Sequence, residues 1–208
     1  MLVKIKINSL VLEGDLQIPK GATSLVLFAH GSGSGRLSPR NNFVARVLRK
    51  GNLGTLLFDL LTEEEDQIYE NRFDINLLTE RLVSATKWVK SAPETQNLAI
   101  GFFGASTGAA AALEAAAQTS EVGAIVSRGG RPDLAMEILD KVTSPTLLIV
   151  GGNDEGVLEL NKKAFASLTC LKKLEIIPGA THLFEEPGAL EEVARLATAW
   201  FGKYLKPF

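Results

Sequence analysis

The chain has one cysteine and two histidines in 208 residues. A lone Cys170 cannot form an internal disulfide, which excludes a cross-linked extracellular scaffold and fits a reducing compartment. With only His30 and His182 beside it, a zinc site of nitrogen and sulfur ligands is also excluded, and neither a metal nor an organic cofactor is expected. An excess of one charge is missing too: 22 Lys and Arg against 24 Asp and Glu leave a net charge of −2. Nucleic acid and anionic membranes are therefore not expected as partners. No apolar run reaches the length of a membrane span. The first residues, Met1-Leu-Val-Lys-Ile-Lys-Ile-Asn8, alternate apolar and polar instead of forming the unbroken apolar core of a signal peptide. A cytoplasmic protein is expected, with a single domain over 1–208, since a 46% hydrophobic content suffices for one sizeable core.

What is present is an alternation of strand and helix signals, with no linker, repeat or low-complexity segment. Residues 2–7 and 10–18 alternate as a hairpin would, with a turn near Asn8-Ser9. Six apolar runs follow: 25–28, 54–58, 98–102, 122–126, 146–150 and 173–177. Helical patterns fill the gaps near 41–50, 74–90, 106–118, 133–140, 157–168 and 189–205. Continuous apolar strands separated by helices imply an α/β architecture, a mostly parallel sheet of about eight strands covered on both faces. In the last helix Leu190, Val193, Ala197, Trp200, Phe201 and Tyr204 form one apolar stripe, so its aromatics belong to the core. The acidic run Glu63-Glu-Glu-Asp66 reads as a solvated loop or helix start.

The most informative segment is Leu98 to Leu113, an apolar run that breaks at Gly104-Ala-Ser-Thr-Gly108 and resumes as an alanine-rich helix. A serine hydroxyl is a weak nucleophile at neutral pH, and catalysis by one needs it lifted on a tight strand-to-helix turn where a base can reach it. Gly-x-Ser-x-Gly recurs by chance in glycine-rich loops. Here a buried strand precedes it and a helix follows, which is the context that gives Ser106 a nucleophile's place. The helix after it aims its amides at the position of a tetrahedral oxyanion.

Later strand ends supply an acid and a base. Asp154 lies just past the run 146–150, in a loop where a carboxylate can orient an imidazole; Glu155 is its neighbour and rival, with the earlier residue better placed. His182 follows the final strand in Pro178-Gly-Ala-Thr-His-Leu-Phe184. The other histidine, His30, opens Gly31-Ser-Gly-Ser-Gly35 and is expected to brace that loop. The run is not a dinucleotide fingerprint, because Arg36 stands where the third glycine should, and it has no phosphate-loop lysine. As the loop between strand and helix it offers a backbone amide, that of Ser32, to complete an oxyanion hole with the amide of Thr107.

Over nearly its whole length the chain resembles the α/β-hydrolase superfamily and, more narrowly, the dienelactone hydrolase-like family. Three stretches carry the likeness: Gly104-Ala-Ser-Thr-Gly-Ala109, Ser127-Arg-Gly-Gly-Arg-Pro-Asp133 and Pro178 to Gly188. The resemblance implies an α/β-hydrolase fold and the triad Ser106, Asp154 and His182. It also implies a possible phosphoribosyltransferase partner, because members of this branch occur alone or joined to such a domain. Dienelactone hydrolases proper use cysteine where this chain has Ser106, so a dienelactone does not follow as substrate.

Only residues 127–145 separate the strand at 122–126 from the next, too few for a cap domain. Around the open pocket this implies stand Arg36, Arg40, Arg128 and Arg131, placed to bind a carboxylate or phosphate or else to pair with nearby acids. Arg128, directly after a buried strand, is the best placed. The expected activity is hydrolysis of small carboxylic esters or lactones, anionic ones included, through a Ser106 acyl-enzyme. Thioester hydrolysis or acyl transfer would use the same residues, and a non-catalytic binding or accessory module is the alternative outside enzymes.

Overall fold

In the computed structural model, which describes residues 1–206, one eight-stranded sheet runs through the molecule. Its strands are β1 (Leu2–Ile7), β2 (Leu10–Gln17), β3 (Ser24–Ala29), β4 (Gly54–Phe58), β5 (Ala99–Ala105), β6 (Val122–Arg128), β7 (Thr146–Gly151) and β8 (Lys172–Ile177), in the spatial order β1-β2-β4-β3-β5-β6-β7-β8. The hairpin β1–β2 docks antiparallel on β4, and all later pairings are parallel. Asn8 takes a left-handed φ of 54° at the hairpin turn, where a short polar side chain is tolerated.

The helices are α1 (Pro39–Lys50), α2 (Glu63–Asp66), α3 (Ile75–Ser91), α4 (Thr107–Gln118), α5 (Glu155–Ser167) and α6 (Ala189–Tyr204). Because side chains alternate along a strand, each central strand feeds two cores. In β3, Leu25, Leu27 and Ala29 join the core that includes Leu82 of α3 and Leu113 of α4. Val26 and Phe28 join the other, with Leu48 of α1 and Phe201 of α6. That two-sided burial is why these strands read as unbroken apolar runs. The α6 stripe packs as its period predicts, with Val193, Ala197, Trp200 and Phe201 buried. No helix is long and apolar enough to cross a membrane among the described residues.

The acidic run is the helix start that the sequence allowed, and two later segments differ from the sequence reading. Glu63–Asp66 is a helix with a complete capping box, Thr62 and Glu65 satisfying each other's backbone amides, and Glu65 also holds Arg81 at 2.6 Å. The stretch 133–140, expected as an α-helix, is 3-10 over Pro132–Lys141 and kinks at Ala135, whose φ/ψ of −123°/21° are not helical. This stretch is the whole connection between β6 and β7 apart from short turns. A second 3-10 turn, Tyr69–Phe73, was not anticipated.

The sheet order reverses at β3, which pairs with β4 on one side and β5 on the other. Crevices at such a switch, outside the carboxyl ends of the strands, are where open α/β sheets bind ligands. Ser106, Asp154 and His182 all lie at that end, after β5, β7 and β8.

Candidate active site

Ser106 occupies the sharp turn between β5 and α4 with φ 50° and ψ −122°. A non-glycine residue at positive φ costs about 1–3 kcal/mol and persists only where its surroundings enforce it. The two flanking glycines do so by permitting close contact. A Cβ on Gly104 would sit 2.4 Å from Ala109 Cα, and one on Gly108 would sit 2.2 Å from the Ala29 carbonyl oxygen. Helix and strands thus approach more closely than any other residue would allow, and the serine is thrust outward. The Ser106 carbonyl accepts from Ala109 N at 3.1 Å and from Arg131 N at 3.0 Å, which pins the β6–β7 connection against the elbow.

Opposite, the loops after β7 and β8 are sewn together. Gly152 N donates to the Ile177 carbonyl at 2.8 Å and Asn153 N to the Ala180 carbonyl at 2.9 Å. Asn153 Nδ2 donates to the Gly179 carbonyl at 3.0 Å. The crossing depends on Gly151, where a Cβ would lie 2.3 Å from the Ala180 carbonyl oxygen. These contacts bring Asp154 Oδ2 to 2.7 Å from His182 Nδ1. Asp154 is also the N-cap of α5, a position where aspartate usually accepts from the first turn, yet its side chain makes no capping bond and turns to the imidazole instead. Glu155, the rival acid, is the first residue of α5 and is exposed.

The Asp154 bond sets the proton on Nδ1 and leaves Nε2 as the basic nitrogen. Among the described residues neither Nε2 nor Ser106 Oγ makes a hydrogen bond. The intervening link is Arg128-Gly129: Ser106 N donates to the Arg128 carbonyl at 3.4 Å, and a Cβ on Gly129 would lie 3.5 Å from His182 Cε1. Bonds between serine and imidazole are often long before substrate binds.

Ser32 and Thr107, the expected oxyanion donors, are neighbours, but the Ser32 amide donates to the Thr107 hydroxyl at 3.0 Å. A half-enclosed amide needs an acceptor, and the hydroxyl supplies one. Gly31 lies against the nucleophile turn, its hypothetical Cβ 3.0 Å from Ser106 Cβ. His30 braces this loop: its Nδ1–H donates to the Gly31 carbonyl at 3.1 Å, while Leu60 N–H donates to Nε2 at 3.0 Å. Both nitrogens are satisfied only in the neutral ring, and burial lowers its pKa from 6.5.

A pH effect follows from that lowered value. In the unfolded chain His30 protonates as pH falls through about 6.5, while in the fold it stays neutral to lower pH, so unfolding takes up a proton and stability declines below that value. Urea unfolding between pH 7.5 and 5 should show wild type losing up to about 1.4 kcal/mol per pH unit more than His30→Gln. Equal slopes for the two proteins would assign the acid sensitivity elsewhere.

The four arginines divide. Arg36 pairs with Asp59 and Glu13, and Arg131 grips Asp133 through two 2.8 Å bonds, so neither presents a free guanidinium. Arg40 reaches Glu185 at 3.1 Å on the surface. Arg128 has no acidic partner among the described residues. It is 5% exposed, donates from Nη2 to Asn41 Oδ1 at 3.1 Å, and lies 5.9 Å from the Phe184 ring centre. Burial, with Arg40 nearby, pushes its pKa down to about 10, which leaves it charged at neutral pH. Asn41 and Phe184 carried no signal of this role in the sequence, and Gly151 only that of a glycine following a strand.

Comparison with known proteins agrees with this architecture. The model of the dienelactone hydrolase family matches residues 50–205. A crystal structure titled as a dienelactone hydrolase from Anabaena variabilis is 56% identical, covers 99% of this chain and 98% of its own, and superposes with a TM-score of 0.96. Est1E from Butyrivibrio proteoclasticus, 17% identical with a TM-score of 0.83 over 97% of this chain and 98% of its own, shares the fold. Curated relatives in two strains of Mycobacterium tuberculosis, provisionally named phosphoribosyl transferases, are 53% identical over 204 residues. Those residues are 98% of this chain and 46% of each relative, so the chain spans about half their length. With the family model covering most of its length and an α/β-hydrolase sheet beneath the elbow, the chain belongs to the dienelactone hydrolase family.

Proposed function

We propose that this protein is a serine hydrolase that cleaves carboxylic esters or lactones through an acyl-enzyme on Ser106. One observation carries the reading: the 2.7 Å bond from His182 Nδ1 to Asp154, which leaves Nε2 without a partner among the described residues, at the same end of the sheet as the strained serine. Ser106 Oγ attacks the substrate carbonyl carbon while its proton passes to Nε2. The tetrahedral intermediate then expels the alcohol, which takes that proton. A water gives a proton to Nε2 as it attacks the acyl carbon, and collapse returns the proton to Ser106 Oγ and frees the acid. Asp154 stays ionised throughout, holding the tautomer and stabilising the imidazolium.

The oxyanion is received by two amides. Thr107 is the first residue of α4, so its N–H has no partner within the helix and sits at the positive dipole end. The Ser32 amide leaves the Thr107 hydroxyl for the oxyanion. A neutral hydrogen bond is exchanged for a charge-assisted one about twice as strong, a gain realised only as charge develops.

Reaction with a fluorophosphonate, followed by a panel of esters, lactones and thioesters, tests the proposal. One label per chain, located on Ser106, with turnover of esters or lactones is the expected result. Folded protein that neither takes the label nor turns over any of the panel would leave a binding module as the better reading.

A further inference from the structure

We propose that Arg128, Arg40 and the first turn of α1 form a phosphate-binding subsite beside His182, so that the ester or lactone cleaved here carries a phosphate group. The inference deepens the hydrolase reading and rests on it for the words ester and lactone, though the subsite itself does not.

The argument begins with charge. A guanidinium withdrawn from water is costly unless a carboxylate or another acceptor takes its protons. Arg128 is 5% exposed, and among the described residues its Nε is buried with no partner and its single hydrogen bond, to Asn41 Oδ1, goes to a neutral amide. Nη1 makes no hydrogen bond either, and unlike Nε it is not fully enclosed. The Phe184 ring offers its face and no lone pair.

The surroundings add positive potential. Asn41 is in the first turn of α1, which contains no acidic residue, so the helix presents the positive end of its dipole to Arg128. Of the first-turn amides, Pro39 has none and Asn41 N donates to Ser38 Oγ at 3.4 Å. Asn42 N donates to the Ser38 carbonyl at 2.9 Å, and Arg40 N has no acceptor among the described residues. The Arg40 side chain is close enough to Arg128 to depress its protonation. Its one counter-charge is Glu185, 65% exposed at the side chain and reached at 3.1 Å. Two guanidinium groups thus stand at the N-terminus of α1, one on its first turn and one bonded to it through Asn41, and among the described residues the one carboxylate recorded with them is paired with Arg40 alone.

An oxyanion resolves this arrangement. A phosphate monoester dianion displaces Glu185, accepts from Arg40 and from the free Arg40 amide, and offers a further oxygen to Arg128. Three oxygens pointing in different directions suit donors drawn from a strand end and a helix, whereas a planar carboxylate serves one guanidinium fork. The place is next to the reaction centre. Gly129, which follows Arg128, lies beside His182, since a Cβ on it would come 3.5 Å from His182 Cε1, and the Phe184 ring, two residues past His182, lies 5.9 Å from the guanidinium.

Inorganic phosphate titrated calorimetrically into Ser106→Ala protein at low ionic strength should bind, and Arg40→Gln or Arg128→Gln in that background should weaken it about tenfold or more. Arg40 is partly exposed, so its variant keeps the test alive should Arg128→Gln unfold. With Ser106 intact, p-nitrophenyl esters of phosphorylated 3-hydroxypropionate, of 3-hydroxypropionate itself and of succinate are compared by kcat/KM. The phosphorylated ester should lead its neutral analogue by about ten- to a hundredfold, and either arginine variant should bring that ratio towards unity. Arg195→Gln on exposed α6 should leave it unchanged. Absence of phosphate binding with equal rates for charged and neutral esters overturns the subsite and leaves the hydrolase reading standing. A succinate ester preferred as strongly as the phosphorylated one overturns the assignment to phosphate. Phosphate binding by protein that hydrolyses no ester sinks the hydrolase reading and retains the subsite.

Discussion

Ser106→Ala should fold as wild type does and lose ester turnover by about 10⁶, together with all fluorophosphonate labelling. The expectation that stability survives has a structural basis. Alanine keeps the Cβ that already sits at φ 50°, and Ser106 Oγ makes no hydrogen bond among the described residues, so truncation removes neither a contact nor the strain. The loss of rate would then belong to chemistry alone. Members of a serine, histidine and acid constellation act as a unit, so His182→Ala should cost about as much, and the double variant hardly more than either alone. Turnover by Ser106→Ala at a wild-type rate, with unchanged melting, would remove Ser106 from the mechanism.

Asp154→Asn should lower kcat by about 10⁴, while Glu155→Gln should change it by no more than a few-fold. The asparagine can present its amide N–H to His182 Nδ1 and so drive the ring proton to Nε2, which abolishes the proposed base. Helix α5 should not suffer, because the Asp154 side chain caps nothing and its backbone carbonyl still accepts from Leu158 N at 2.8 Å. Rates measured beside thermal melts separate the two effects. A larger loss in the Glu155 variant would move the acid by one residue.

That choice between neighbours marks where the sequence stops being legible. The loop after β7 was visible as two glycines and two acids behind an apolar run, and the better placement of the earlier acid could be argued from chain order. What decides it is that the β8 loop crosses over Gly151 and draws Asp154 away from its capping position, a contact between segments far apart in sequence. The elbow was legible because its cause is local: flanking glycines, a buried strand before and a helix after. The same holds for β3 and α6, whose periods state which faces are buried.

Partner choice among charges was not legible. Arg131 pairs with an acid two residues away, but Arg36 finds Asp59 and Glu13 on distant segments, and Arg128 finds none among the described residues. Only the fold tells these cases apart, since isolated arginines look alike in sequence. The 3-10 character of Pro132–Lys141 was likewise hidden, because the pattern of apolar residues there suits an α-helix and the kink at Ala135 leaves no mark in that pattern.

The ten residues of that 3-10 stretch are also most of what stands between β6 and β7, and so short a link has a kinetic meaning for the proposed hydrolase. Enzymes that enclose their substrates are often limited by the opening of a lid or the escape of product. On the acyl-enzyme reading so short a connection offers no comparable door, and the slow step is expected to be making or breaking the acyl-enzyme. Selection by admission would be lost with it. Substrates are then told apart by contact energy near the carbonyl, where one methylene is worth about 1–3 kcal/mol, and among acyl groups that fit equally the order of rates follows the acidity of the departing alcohol more closely than its size.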